Sequence, residues 1–268
     1  MHLRNTGLIA LAVSEVLVGV LIVHWLLQDF LLLSLIGPCL TAIGLHALGQ
    51  AQHESFHRLL FPGKALNDAV GKILCSWVLA SAFAGLRQLH FRHHGKFASD
   101  EDPDSWHWAG AKDGRSATCL ALKVLCFQRI WSRTKLIRSA SRMSARDGER
   151  FQIACLQLVI CLMFLRFSSV ATFVLAWLVP LFSLMPFIEH IRVVAEHHNS
   201  KLRIFPNANS LECWIFGRFG FQLHAYHHLN SRVPWHALTD RTIREQEHDV
   251  EVQVTNSWIR EFARVLVQ

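Results

Sequence analysis

Long apolar runs separated by short polar ones set the frame of this chain. Gly7–Leu27 is apolar apart from Glu15 and His24, Phe30–Gln50 carries no formal charge beyond whatever His46 holds, and Phe167–Ile188 carries none. At about 1.5 Å per residue, a helix of about 20 residues crosses a hydrocarbon core about 30 Å thick. Phe151–Ile188 is interrupted by a single formal charge, Arg166, and is long enough for two short spans turning near Arg166–Ser168. The pattern predicts four spans, near 7–27, 30–50, 151–166 and 168–188, with the first two joined at Gln28-Asp29. No small-residue cleavage site follows the first run and a second apolar run comes at once, so both read as retained helices. Gly37 and Pro38 should bend the second span.

The polar remainder places the spans. Leu66–Leu89 is apolar but interrupted by Asn67, Asp68, Lys72 and Arg87. It reads as a helix lying in the interface or re-entering, near 66–89. Residues 86–150 are rich in Lys and Arg, and such segments stay cytoplasmic. Both termini are then expected on that side. Arg129–Arg150 reads as a basic helix on anionic headgroups, or as a docking face for an acidic electron-transfer partner, with no role for nucleic acid. From Ala237 the sequence is polar and mixed in charge, so 237–268 is expected to be a cytoplasmic tail or cap. Glu15, ionisable at membrane depth, should face the bundle interior. The fold class that follows is an all-α membrane protein, a single domain over 1–268, with about four transmembrane helices plus interfacial ones.

Composition agrees: 51% hydrophobic residues and a mean hydropathy of +0.26. The seven cysteines form no C-x-x-C pair, which argues against a zinc ribbon or disulfide framework and for small buried side chains. The 17 histidines change the picture most. His224, His227 and His228 form an H-x-x-H-H pattern, and so do His90, His93 and His94; random placement gives such triplets far less often. His53 and His57 precede them as H-E-S-F-H. On a helix, positions i, i+3 and i+4 share one face, so each group can aim its imidazoles at one point.

Neutral imidazole is the commonest nitrogen ligand for Zn, Fe, Cu and Ni. H-E-S-F-H also fits the zinc-hydrolase pattern, with Glu54 as general base. That site needs three protein ligands and leaves most of the clustered histidines without work. Eight histidines suit two metals with four or five nitrogens each, and iron is the redox-active choice for a water-poor site. Glu54 then stands behind the ligands or bridges. A non-enzymatic metal-binding membrane protein is the remaining alternative.

The order H-x-x-x-H, H-x-x-H-H, H-x-x-H-H, with Leu229 and Val233-Pro234-Trp235 after the third box, resembles the integral-membrane fatty acid desaturase family, whose relatives include membrane hydroxylases and carotenoid ketolases. The resemblance runs from about His46 to Leu238. Asp102-Pro103-Asp104 after the second box resembles the D-P-D of bacterial and carotenoid-modifying relatives. Arg192-Val-Val-Ala-Glu196-His197 resembles the family's R-x-x-A-E-H segment. The resemblance implies a cytoplasmic His-rich cap holding two non-haem iron ions on His53, His57, His90, His93, His94, His224, His227 and His228, with His197 as the additional ligand and His190 as its substitute. His198 is a weaker neighbour. Glu54, Asp104, Arg192 and Glu196 are expected to orient ligands from behind.

The same resemblance implies dioxygen as co-substrate and removal of hydrogens from an unactivated lipid-linked or carrier-linked acyl chain. That chain should lie in a narrow apolar tunnel between the spans. A first box with three intervening residues, and His224 opening the third, favour a small enzyme of bacterial type in the inner membrane. No H-P-G-G haem-binding motif occurs, so the electrons should come from a separate donor such as ferredoxin or a small haem protein. Hydroxylation and ketolation by the same centre remain alternatives. His107, His236 and His248 fall outside the boxes and are expected to be dispensable.

Overall fold

Four long apolar helices form the body of the protein. The computed structural model describes residues 2–97, 99–107, 113–126, 147–238 and 252–268. Among them Leu3–Leu26, Leu31–Phe56, Gly148–Phe167 and Val170–His197 are long and apolar enough to cross a membrane. The basic stretch 127–146 and His248 lie outside the described residues. The first turn falls at Leu27–Asp29. The turn between the third and fourth spans is closed by Ser169, whose Oγ accepts the Thr172 N–H at 3.1 Å.

The first two spans touch backbone to backbone. A Cβ on Gly19 would lie 2.6 Å from the Gly37 carbonyl oxygen, one on Gly37 2.5 Å from that of Gly19, and one on Gly44 2.6 Å from that of Ala12. Small residues at such positions let membrane helices approach closely where lipid gives no hydrophobic driving force. Pro38, rather than bending mid-span, sits just after an interruption at Leu35. Its missing N–H leaves the Ser34 carbonyl outside the helical ladder.

Two spans run beyond their apolar stretches. The second continues past Gln50 to Phe56 and the fourth past Ile188 to His197. Hydropathy ends there, but the polar residues that follow have buried partners. Gln52 Nε2 donates to Ser76 Oγ at 2.6 Å and to Ser81 Oγ at 3.2 Å, and Ser55 Oγ donates to the Gln52 carbonyl at 2.6 Å. The helix can therefore persist as it leaves hydrocarbon.

The continuous helix expected near 66–89 is instead two. Lys64–Val70 runs into a π-turn at Gly71–Trp77, and a separate helix covers Phe83–Lys96. Between them Ala80 takes a left-handed φ of 51°. The break is held by polar side chains of the third span. Glu149 accepts from the Phe83 N–H at 3.0 Å and Trp77 Nε1 at 3.3 Å, and Gln157 donates to the Trp77 carbonyl at 2.9 Å. A local pattern cannot show this, because the partners lie 66 and 80 residues away. Otherwise the third span stands at the periphery, burying none of its most apolar stretch within the protein.

The segment expected to be a tail or cap is built into the fold. Val252–Val254 pairs in parallel with Leu202–Ile204, in the register Leu202↔Val252 and Ile204↔Val254. Trp258–Val267 is a helix capped by Ser257 Oγ, which accepts the Arg260 N–H at 3.1 Å. Its Trp258, Phe262 and Val265, one turn apart, are buried. The cysteines also differ from expectation: Cys75 is buried, whereas Cys39 and Cys155 lie exposed on faces of spans, where lipid accommodates a thiol. Replacing Gly44 by Val should lower thermal stability in detergent by about 1–3 kcal/mol through overpacking. Gly7→Ala, which meets nothing within 4 Å, should leave it unchanged.

Candidate metal centre

Histidine nitrogens from four helical segments converge beneath the bundle in two main groups. Ligand atoms of His53, His57, His90, His94 and His227 all lie within 4.8 Å of one another, as do those of His93, His197 and His228; His197 also groups with His224 and Glu196. The helix Phe83–Lys96 gives His90 and His94 to the first group and His93 to the second. The helix His224–Leu229 gives His227 to the first and His228 to the second, while its His224 joins the set with His197 and Glu196. Each H-x-x-H-H box therefore straddles both groups, which ties them side by side. The His94 and His228 rings stack at 4.5 Å across the boundary.

Two nitrogens bound to one metal at about 2.1 Å stand about 3 Å apart. His90–His94, His57–His227 and His224–His228 each bring Nε2 atoms to 3.1 Å, and His57–His90 to 2.5 Å. Both ring nitrogens of His53 are buried without a hydrogen-bond partner, an arrangement that suits a cation ligand. These observations fit a metal pair. Burial, then the charge of Arg87, holds His57 down to about 4, and burial with its imidazole neighbours takes His94 to about 3. His90, His224, His227 and His228 are held well below the ordinary value, first by burial. All are thus neutral, as ligation requires.

His93 is the exception, and its partner corrects the expectation. Burial opposes its charge, but the Asp104 charge, the Asp102 hydrogen bond and the Asp102 charge together raise its proton affinity. The direct contact is Asp102, with Oδ1 2.8 Å from His93 Nδ1, while the Asp104 carboxylate stands at 3.8 Å. Asp104 instead donates its backbone N–H to Asp102 Oδ1 at 2.8 Å. An Nδ1–H held by a carboxylate leaves Nε2 as the ligating nitrogen.

The other supports are placed as follows. Glu54 is buried, with Oε1 3.6 Å from His53 Nδ1, beyond hydrogen-bond distance, and it belongs to neither nitrogen group. Glu196 accepts from Arg192 Nη1 at 2.5 Å and from Trp258 Nε1 at 3.2 Å, and stands 4.0 Å from His197 Nε2. Arg192 also lies over the Phe221 ring at 4.5 Å. His190, the substitute for His197, is not brought to the nitrogens. It pairs with His107, Nδ1 to Nδ1 at 3.1 Å with stacked rings, and both are buried. His107 is therefore no peripheral residue.

Residues 16–255 match the family described as fatty acid desaturase. The chain belongs to the fatty acid desaturase family. A comparison with curated proteins finds no match. Membership in the desaturase family implies an oxidoreductase, and together with four apolar helices it makes this a membrane protein.

Sequence reasoning missed what holds the desaturase boxes in place. Glu15 of the first span accepts from Arg218 Nη1 at 2.7 Å and Nη2 at 2.5 Å, and from Trp214 Nε1 at 2.7 Å. This buried ion pair fixes the turn before the third box, where Phe219 and Gly220 take left-handed φ of 52° and 73°. A Cβ on Gly220 would meet Trp235 Cβ at 2.8 Å. The Glu15 charge at membrane depth was the signal available; Trp258 offered none. We expect His57→Ala and His228→Ala each to lower bound metal by about half, and His236→Ala to leave it unchanged. Elemental analysis of the purified protein checks this, and full metal retention by both variants would refute the two-group assignment.

Proposed function

We propose that this desaturase-family protein carries out O₂-dependent oxidation of an unactivated lipid chain at a non-haem di-iron centre, with desaturation of an acyl-lipid or carrier-linked chain as its reaction. The observation that carries this reading is the split of each H-x-x-H-H box between two nitrogen groups. A hydrolase with one zinc has no use for it. One iron would be held by His53, His57, His90, His94 and His227, the other by His93, His197, His224 and His228. Bound there, the pair would supply the oxidation of a C–H bond by dioxygen. In the balanced reaction two C–H bonds on adjacent carbons break and a C=C bond forms. Dioxygen takes up those two hydrogens, with two electrons from a separate donor such as ferredoxin or a small haem protein and two protons from the medium, and leaves as two waters.

The chain's own residues provide position and exclude water. Asp102 holds the His93 ring through Nδ1, and Trp258 and Arg192 hold Glu196 behind His197. A cavity of about 140 Å³ opens on the centre between Gly49, Gln50, His53 and Phe56 of the second span and Met185, Glu189, Arg192 and Val193 of the fourth. Hydroxylation or ketolation is the second reading, favoured by the polar share of that lining. The boxes and both termini face the cytoplasm in this reading, since the Lys/Arg-rich 86–150 segment resists translocation.

The Glu54 position separates oxidase from hydrolase. Glu54→Gln should retain product formation that depends on dioxygen and reductant, with metal bound, whereas loss of His53 or His224 should abolish it. Anaerobic activity that needs no reductant and vanishes in Glu54→Gln would sink the oxidase reading. For orientation, reporter fusions at Ser99 and Ser257 should both signal from the cytoplasm. An external signal at either would overturn the assigned topology.

A further inference from the structure

The cavity on the metal centre is not the bare hydrocarbon slot that the sequence led us to expect, and its polar wall bears on what it admits. His46, Gln50 and His53 recur at one-turn intervals on a single face of the second span. All line the cavity, together with His90, His197 and His224 of the nitrogen groups. Gln50 is 1% exposed. Its Nε2 donates to the Phe216 carbonyl and lies 3.4 Å from His46 Nε2. A carbonyl accepts only from a donor, so the amide is fixed with Nε2 toward Phe216 and Oε1 at the other end. Oε1 has no hydrogen-bond partner among the described residues.

A buried amide oxygen left without a donor is unfavourable, and native interiors rarely keep one. Its place is informative. Gln50 stands three residues from His53, about 4.5 Å along the helix axis. A polymethylene segment threaded past it would leave the acceptor unmet about one helical turn from His53. We propose that the cavity takes a substrate carrying an O–H or N–H donor within a few bonds of the carbon to be oxidised, the class of hydroxylated or amide-bearing chains and rings, with Gln50 Oε1 accepting that hydrogen. This inference rests on the di-iron oxidase reading and narrows it. Gln50 is then a specificity-determining residue, touching the substrate beside the reacting carbon.

The test uses the full chain and Gln50→Met expressed under air in one host, each fed 1-dodecanol, dodecanamide and dodecane, with extracts analysed by mass spectrometry. The expected result is a product that has lost two hydrogens or gained oxygen, formed from the alcohol or the amide at least about tenfold more than from dodecane. Fragmentation should locate the altered carbon within a few bonds of the heteroatom. Gln50→Met should lower that yield about tenfold while iron content of the purified protein stays at the wild-type level. The comparison of probes on the wild-type chain stands even where the substitution impairs folding. Equal oxidation of dodecane, oxidation confined to the far half of the chain, or undiminished yield from Gln50→Met would overturn the proposal and leave the oxidase reading intact. Absence of any O₂-dependent product from the probes or the host lipids would overturn both.

Discussion

Nine imidazoles are gathered at one end of a membrane bundle, burial holds most of them neutral, and the rest of the structure answers that constraint. Ring nitrogens brought to about 3 Å point at common centres, an arrangement compatible with cations there. No single helix can supply such a set. The second and fourth spans therefore run on beyond hydrocarbon to deliver His53 and His197, and two short helices bring three histidines each from the side. A metal held there would add its binding free energy to the folding of these segments.

What keeps them in place is a set of long-range polar contacts, each tying a box to an apolar helix. Glu15 reaches from the first span to Arg218 ahead of the third box, and Glu149 reaches from the third span to the start of the helix bearing the second. A buried ion pair such as Glu15–Arg218 adds little net stability beside a well-packed apolar pair, but breaking it leaves a charge stranded. These contacts act here as register marks, fixing where the short helices stop against the long ones.

Much of this was legible in the chain. The spans, the hairpin near Gln28-Asp29 and the histidine groups follow from hydropathy and local spacing, which encode what one helix does. The sequence was silent wherever the cause lies far along the chain. Asp104 was the carboxylate expected behind His93, whereas the direct contact is Asp102, because the Pro103 turn folds the Asp104 N–H back onto Asp102. The break at Val78–Ala82 depends on Gln52, Glu149 and Gln157. The second and fourth helices continue past their apolar stretches because hydropathy marks the membrane boundary and not the end of a helix. His46 and Gln50 looked like interruptions in an apolar run, and only their shared face with His53 gives them a common setting.

The contact between Trp258 and Glu196 orders events during synthesis. Every histidine of the centre precedes Trp258 in the chain, so all the ligands leave the ribosome before the indole that braces the carboxylate behind His197. Until Phe205 and Trp258 stack, at 4.2 Å between ring centroids, the second nitrogen group lacks one of its supports. The last helix thus acts as a latch closed after the ligands are in place, and a chain cut short before it would carry every histidine yet lack this brace.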